Sequence, residues 1–439
     1  MIFYYANGGI IEIADFNKKK NLTIDNNEDL NRYINRNKKE VWVCYDQADL
    51  LKNVITVYDV KDGDYSIDYK VNSYCVDSKL EAVVKEFFEN YEVFKCKLKL
   101  INEFKLPNYL LNSTIAKITA YAIGGTPERN NEFDYKLLDI LTKYNKVREF
   151  FDNNRSYGKK FNTTIAGVEH TYGFGGCHGA RKGYVSRRKI AVIDAKSFYP
   201  TMLARFGYYN ITNKERAKYI HEMNTKLTGT ERLPYKLADN SIVGNFKNSY
   251  SDLYNPRASN TICINGQLLI TSLIEFVEGC SKLIQTNTDG IIVEYSDLNK
   301  LTEACKSWER ATKFELKIDT YDKIYQKDVN NYLLVGRKIK GVGELREVSE
   351  GNYTESIIKR SMRAYLLDNV PIAKTINECR DAREFQILAK PNYKVYANWY
   401  GRRIKNVFSF EVSNDFKFVD KQHYIKTAER RLKKYGVTL

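Results

Sequence analysis

Two aspartates stand apart from the other acids of this chain because each borders an apolar, β-rich run. In KIAVIDAKSFYPT, Asp194 is the last residue of an apolar strand that turns into a helix-compatible stretch. In KLIQTNTDGIIVEY, two β-branched arms flank a short polar turn, the pattern of a hairpin with Asp289 beside its turn. Carboxylates on adjacent strands can hold two divalent cations about 4 Å apart, an arrangement that activates a 3′-hydroxyl and stabilises a leaving phosphate. Between the acids lies KLADNSIVG, where Lys236, Asn240, Val243 and Gly244 share one helical face. The lysine can meet phosphate while Asn240 and Gly244 lie near base and sugar. This order of acid, lysine-bearing helix and acid is the one expected of a nucleotidyl transferase.

The same three pieces carry a resemblance. DAKSFYPT resembles motif A (DxxSLYPS) of family B DNA polymerases, with Asp194, Ser197, Tyr199 and Pro200 in register. KLADNSIVG is similar to their Kx3NSxYG motif, with Val243 where tyrosine is usual. TNTDG stands where the family has DTDS, so that Asn287 replaces an acid and Gly290 a serine. HTYGFGGCHGARKGYV resembles the glycine-rich approach to the palm in phage members, SDLYNPRASNTICINGQLL their segment between the second and third motifs, and KDVNNYLLVGRKIKGVGE their approach to the thumb. The likeness runs, in order, from about Asn162 to the C-terminus.

The resemblance implies an α+β right hand of palm, fingers and thumb, with a reduced RNase H-like N-terminal region. It further implies template-directed addition of dNTPs to a primer on DNA, in phage or mobile-element replication. Asp194, Asp289 and a backbone carbonyl near Ala195 would hold two Mg2+ or Mn2+ ions. Lys236, Asn240, Ser197 and Tyr199 would surround the dNTP, with Tyr199 as the steric gate against a 2′-hydroxyl and Arg216, ahead of Lys218 and Lys226, as a further phosphate contact. Gly175, Gly176, Tyr332 and Lys338 would meet primer and template. The family's KxY motif reads NNY here, so Lys327 or Lys338 is expected to replace the lysine missing at Asn330.

The elements that must position these residues divide the chain into an exonuclease-like region (1–105), a helical linker (106–164), palm (165–210 and 245–320), short fingers (211–244) and thumb (321–439). Within the first region, VWVCY and NVITVYDV read as strands. SKLEAVVKEFFENYEVFKCKLKLINEF reads as one amphipathic helix of several turns. YCVDSKLEAVVKEFF resembles the third exonuclease motif through Asp77, and CYDQADLL the second through Asp49, but the DxE of the opening strand has no counterpart. Metal-dependent cleavage needs about four carboxylates, so the region reads as a remnant without proofreading activity. Asp49 and Asp77 read more readily as ordinary surface acids than as exonuclease ligands.

Lys and Arg total 70 against 54 Asp and Glu, a formal charge of +16 that favours a polyanionic partner. The C-terminal KTAERRLKKYGVTL is a basic helix suited to a duplex backbone. Eight scattered cysteines without a CxxC pair argue for reduced thiols and a cytosolic setting, and against a zinc ribbon, and the phage resemblance implies the cytoplasm of a bacterial host. The start lacks the pattern of a signal peptide. The most apolar stretch, Thr261 to Val277, is interrupted by Asn265, Gln267 and Glu275, so no membrane partner is expected. About 42 residues separate Asp194 from Lys236 and about 53 separate Lys236 from Asp289, which leaves no room for the insertions of protein-primed polymerases. A catalytically inactive polymerase-like protein that binds DNA or a replisome partner is the alternative from another class. Retention of Asp194, Lys236 and Asp289 argues against it.

Overall fold

The computed structural model describes residues 1–7, 10–44, 51, 56–59, 79–137, 141–154, 159–347, 355–388, 395–399, 402–407 and 419–439. Asp49 and Asp77 lie outside the described residues.

The chain opens with β1 (Ile2–Asn7), β2 (Ile10–Asp15), β3 (Lys20–Ile24), α1 (Asn27–Asn37), β4 (Val41–Cys44) and β5 (Thr56–Asp59). They form a five-stranded sheet of order β3-β2-β1-β4-β5, antiparallel through β1 and parallel from β1 to β5. Alternation along β1 explains its two buried faces. Ile2 and Tyr4 pack with Trp42, Leu30 and Ile34 on one side, and Phe3 packs with Val43, Val83 and Phe87 on the other.

The amphipathic stretch that follows forms two helices rather than one, α2 (Lys79–Glu89) and α3 (Tyr91–Phe104). The break is at Asn90, whose side-chain amide donates to the Glu86 carbonyl at 3.0 Å and so competes with the helical backbone. The described residues of 106–164 are also less helical than expected, with only α4 (Ile115–Ile123) and α5 (Lys146–Asn153) as α-helices.

The described residues between α4 and α5 form a strap over the long buried helix Pro256–Val277. Chain order up to that helix is β6 (Lys160–Ile165), β7 (Val168–Gly173), β8 (His178–Ala180), β9 (Tyr184–Val185), β10 (Lys189–Ala195), α6 (Phe198–Arg205), α7 (Lys214–Lys226), α8 (Gly229–Asn245) and α9 (Pro256–Val277). The three polar residues that interrupt the apolar run of α9 explain both the strap and the burial. Asn265 accepts from the Lys136 amide at 3.0 Å, Glu275 from the Lys143 and Tyr144 amides at 2.8 Å, and Gln267 donates to the Gly173 carbonyl at 2.8 Å. By length and composition α9 could cross a membrane, but 83% of its most apolar window is buried inside the protein.

The chain continues with β11 (Ser281–Asn287), β12 (Gly290–Tyr295), α10 (Leu298–Thr312), β13 (Leu316–Tyr321), β14 (Lys323–Asp328), β15 (Asn331–Val335) and β16 (Lys340–Val342). A seven-stranded antiparallel sheet of order β13-β10-β12-β11-β8-β7-β6 occupies the centre of the molecule. Its β10 and β12, read from sequence as apolar strands, lie side by side at its heart. One face packs on the main core through Ala191, Ile193 and Val293. The other packs Ile190, Val192 and Ile292 against Ile324, Tyr332 and Leu334 of a second sheet, β16-β15-β14-β9. Helices α11 (Ser356–Asp368), α12 (Ile372–Asn377) and α13 (Lys421–Lys433) share a separate C-terminal core with Leu333 and Leu345.

Candidate active site

The two aspartates meet because β11 and β12 form a hairpin with only Thr288 and Asp289 in its turn, Asn287 pairing with Gly290. Gly290 in turn pairs with Asp194 across β10 and β12. The amide of Ala195 donates to the carbonyl of Asp289 at 2.9 Å, which fixes one acid-bearing segment to the other. Gly290 is required by this closeness, since a Cβ there would lie 2.3 Å from Asp194 Oδ1 and 2.6 Å from the Ile193 carbonyl. There is no space here for a side chain, a serine included.

Burial, and then the charge of Asp289, hold the Asp194 carboxyl above the ordinary carboxylate range; Lys340 and Lys317 partly offset the effect. Two like charges brought together in a partly buried place are unfavourable alone and favourable around a cation. This oxygen donor set fits hard divalent ions.

Both acids open into a cleft of about 690 Å³. Its opposite wall is the helical hairpin of α7 and α8, which supplies Lys236, Asn240, Arg232 and His221. Ser197 and Tyr199 line the floor. Ser197 sits in the left-handed region with φ of 44°, at the strand-to-helix turn after Asp194. Its hydroxyl accepts from Arg232 Nη2 at 3.3 Å and Asn224 Nδ2 at 3.4 Å. Tyr199 donates to the Thr288 carbonyl at 3.1 Å, which ties the helix after the first acid to the turn bearing the second. A Cβ on Gly266 of α9 would come within 3.1 Å of the Tyr199 ring, so that glycine lets the ring settle against the helix.

Several expected contacts lie elsewhere. Arg216 does not line the cleft: it donates to the Ala122 carbonyl at 2.9 Å and lies over the Phe104 ring, on the side of α7 that faces α4 and α3. Lys218 and Lys226 pair with Glu215 and Glu222. Arg232 occupies the cleft instead, one helical turn before Lys236. The same-face spacing that singled out Asn240, applied in the other direction, identifies it.

Gly176, at φ of 131°, makes a close approach to the protein itself, because a Cβ there would meet Thr288 Cγ2 at 2.7 Å. Gly175 faces open space. Arg181 is committed to the Leu283 and Ala166 carbonyls.

Tyr332 is buried in the layer between the two sheets. Burial first and the Asp194 charge second raise its phenol. Lys327 is engaged by Glu344 at 3.1 Å and Lys338 is exposed, whereas Lys340 and Lys317 are the cations whose charge reaches Asp194. Sequence spacing from Tyr332 did not reveal Lys340, because the β15–β16 turn brings it back. Among the described residues no group of three or more His, Cys, Asp or Glu could hold a metal, so no third residue of these types joins Asp194 and Asp289.

No family model matches this chain, and no curated protein matches it. Among solved structures, the chain is similar to the family B DNA polymerase of the hyperthermophilic archaeon Pyrobaculum calidifontis. The TM-score is 0.54 and the identity 10%, over 100% of this chain and 78% of that one. The fold is therefore similar to that of a family B DNA polymerase, at a sequence identity of only 10%.

Proposed function

We propose that this chain is a template-directed DNA polymerase that adds dNTPs to a primer 3′ end. The observation that carries the reading is the convergence of Asp194, Asp289, Lys236 and Asn240 on one cleft from a hairpin, a neighbouring strand and a facing helix. Asp194 and Asp289, with a backbone carbonyl near Ala195, would hold two Mg2+ or Mn2+ ions. When bound, these ions lower the pKa of a primer hydroxyl and neutralise charge on the leaving phosphate.

The protein's own groups do the rest. Lys236 and Arg232 provide cationic contacts for the triphosphate on the wall opposite the acids, and Asn240 stands one turn further along the same face. Tyr199, held by the Thr288 carbonyl and backed by Gly266, presents a fixed ring where a deoxyribose would rest, so a 2′-hydroxyl would clash with it. The sheet bearing the acids serves as palm, α7 and α8 as fingers, and the residues after 320 as thumb. Exposed Lys426, Arg430, Lys433 and Lys434 on and just after α13, together with the +16 charge, suit the backbone of a primer–template duplex.

The N-terminal sheet, three antiparallel strands continued by two parallel ones, suits an RNase H-like origin. Its opening strand IFYYAN offers no carboxylate, so we read the unit as lacking 3′–5′ proofreading. A phage or mobile-element replicase in the cytoplasm of a bacterial host is the setting this reading implies.

The test is extension of a labelled primer on a defined DNA template with Mg2+ and one dNTP at a time. Addition of the complementary nucleotide alone, with no shortening when dNTPs are withheld, is expected. Retained DNA binding without any extension would favour a non-catalytic replisome protein instead.

A further inference from the structure

The residue between Lys236 and Asn240 in KLADN is itself unusual. Asp239 is 0% exposed, and its Oδ2 accepts from His221 Nδ1 at 2.8 Å and from Asn224 Nδ2 at 2.8 Å. Its Oδ1 is buried with no partner. A carboxylate taken wholly out of water is costly unless a facing charge compensates it. Among the described residues the only ionisable side chain bonded to it is His221, one helix away on α7. With Nδ1 committed to the buried acid, Nε2 is the ring nitrogen left to face the cleft, which His221 lines together with Lys236.

Resting on the polymerase reading, we propose that His221 protonates the departing pyrophosphate and that Asp239 is the positioning residue that aims it. The primer 3′-oxygen forms its bond to the α-phosphorus as the bond from that phosphorus to the bridging oxygen breaks. The electron pair leaves on the pyrophosphate, which takes the Nε2 proton of the imidazolium. The 3′-hydroxyl proton goes to solvent, and the ring is reprotonated from water. An imidazole oriented through Nδ1 by a buried carboxylate is a general way to fix the tautomer and direction of a proton-transferring ring.

The experiment is pre-steady-state incorporation of one dNTP by the full chain, with Asp194→Ala as a control. His221→Gln is expected to lower kcat about 100-fold, within the range general acids contribute, and to leave KM for dNTP nearly unchanged. Asp239→Asn should fall in the same direction with the same split. His221→Lys, which can still donate a proton, should recover part of the rate. Pyrophosphorolysis, the reverse reaction, should fall in parallel in His221→Gln.

A His221→Gln variant with wild-type kcat, or one altered only in KM, overturns the proposal. So does a variant whose rate loss is matched by a lower melting temperature and is not relieved by His221→Lys. Extension that is lost in Asp194→Ala but unaffected in His221→Gln would sink this inference alone. Absence of extension by the wild type would sink the polymerase reading and this inference with it.

Discussion

On the proposed polymerase reading Asp194 is a metal ligand, and its surroundings make two predictions. Its carboxyl is raised by burial and by Asp289. The stability that its protonated form contributes is therefore complete below the ordinary carboxylate value and is lost as pH rises through the raised one. A divalent cation must displace that proton. Apparent Mg2+ affinity, followed by thermal shift at decreasing pH, should therefore weaken at a higher pH than an ordinary carboxylate would set. Asp194→Asn should melt higher than wild type in metal-free neutral buffer; a lower melting point would contradict this electrostatic picture. Gly290→Ala should fail for a steric reason. Its methyl group would strike Asp194 Oδ1 and the Ile193 carbonyl, destabilising the protein by about 1–3 kcal/mol and lowering extension by at least about ten-fold. Normal activity in that variant would show that the hairpin can move away from β10. The acids, Lys236 and Asn240 were legible in the sequence because strand-end and same-face spacing depend only on local geometry. Arg232 was open to that same-face spacing, one turn before Lys236, whereas only packing against α4 shows that Arg216 is on the face of α7 turned from the cleft.

Among the elements, the β11–β12 hairpin was fully legible, since its two-residue turn and β-branched arms are local signals. The division of α2 from α3 was not, because it depends on one asparagine bonding its own preceding turn. The strap over α9 was also hidden, because its stability comes from Asn265 and Glu275, more than a hundred residues later in the chain. The strands beside the β11–β12 hairpin hold a further test. His170 of β7 is buried, contacts Thr286 of β11 through Nε2 at 2.8 Å, and is depressed by burial to about 4. A depressed value means that its contribution is full above the ordinary histidine range and is lost as pH falls from about 6.5 towards 4. Over that window His170 should cost the fold up to about 3 kcal/mol. The acid-induced loss of stability in wild type should therefore exceed that in His170→Gln; equal slopes in the two proteins would show that His170 is solvated on acidification without cost.

For the whole molecule, the excess of 16 positive charges predicts a steep salt dependence of binding to a primer–template duplex. The loss should be on the order of 10³-fold between 50 and 200 mM salt for about six neutralised phosphates, and a shallow slope would mean that few phosphates are contacted. The arrangement of sheets and helices was accessible from sequence only through the resemblance of three short motifs, because periodicity specifies elements and not how distant ones pack. The N-terminal sheet order emerged only in three dimensions, and Asp49 and Asp77 fall outside the described residues. The most direct measurement is single-nucleotide primer extension with Mg2+ by wild type, Asp194→Ala and Asp289→Ala, each also assayed for binding of the same duplex. Extension by wild type, abolished in both variants while each still binds the duplex, is the predicted result. Extension that survives loss of either aspartate would contradict a reaction centred on this pair.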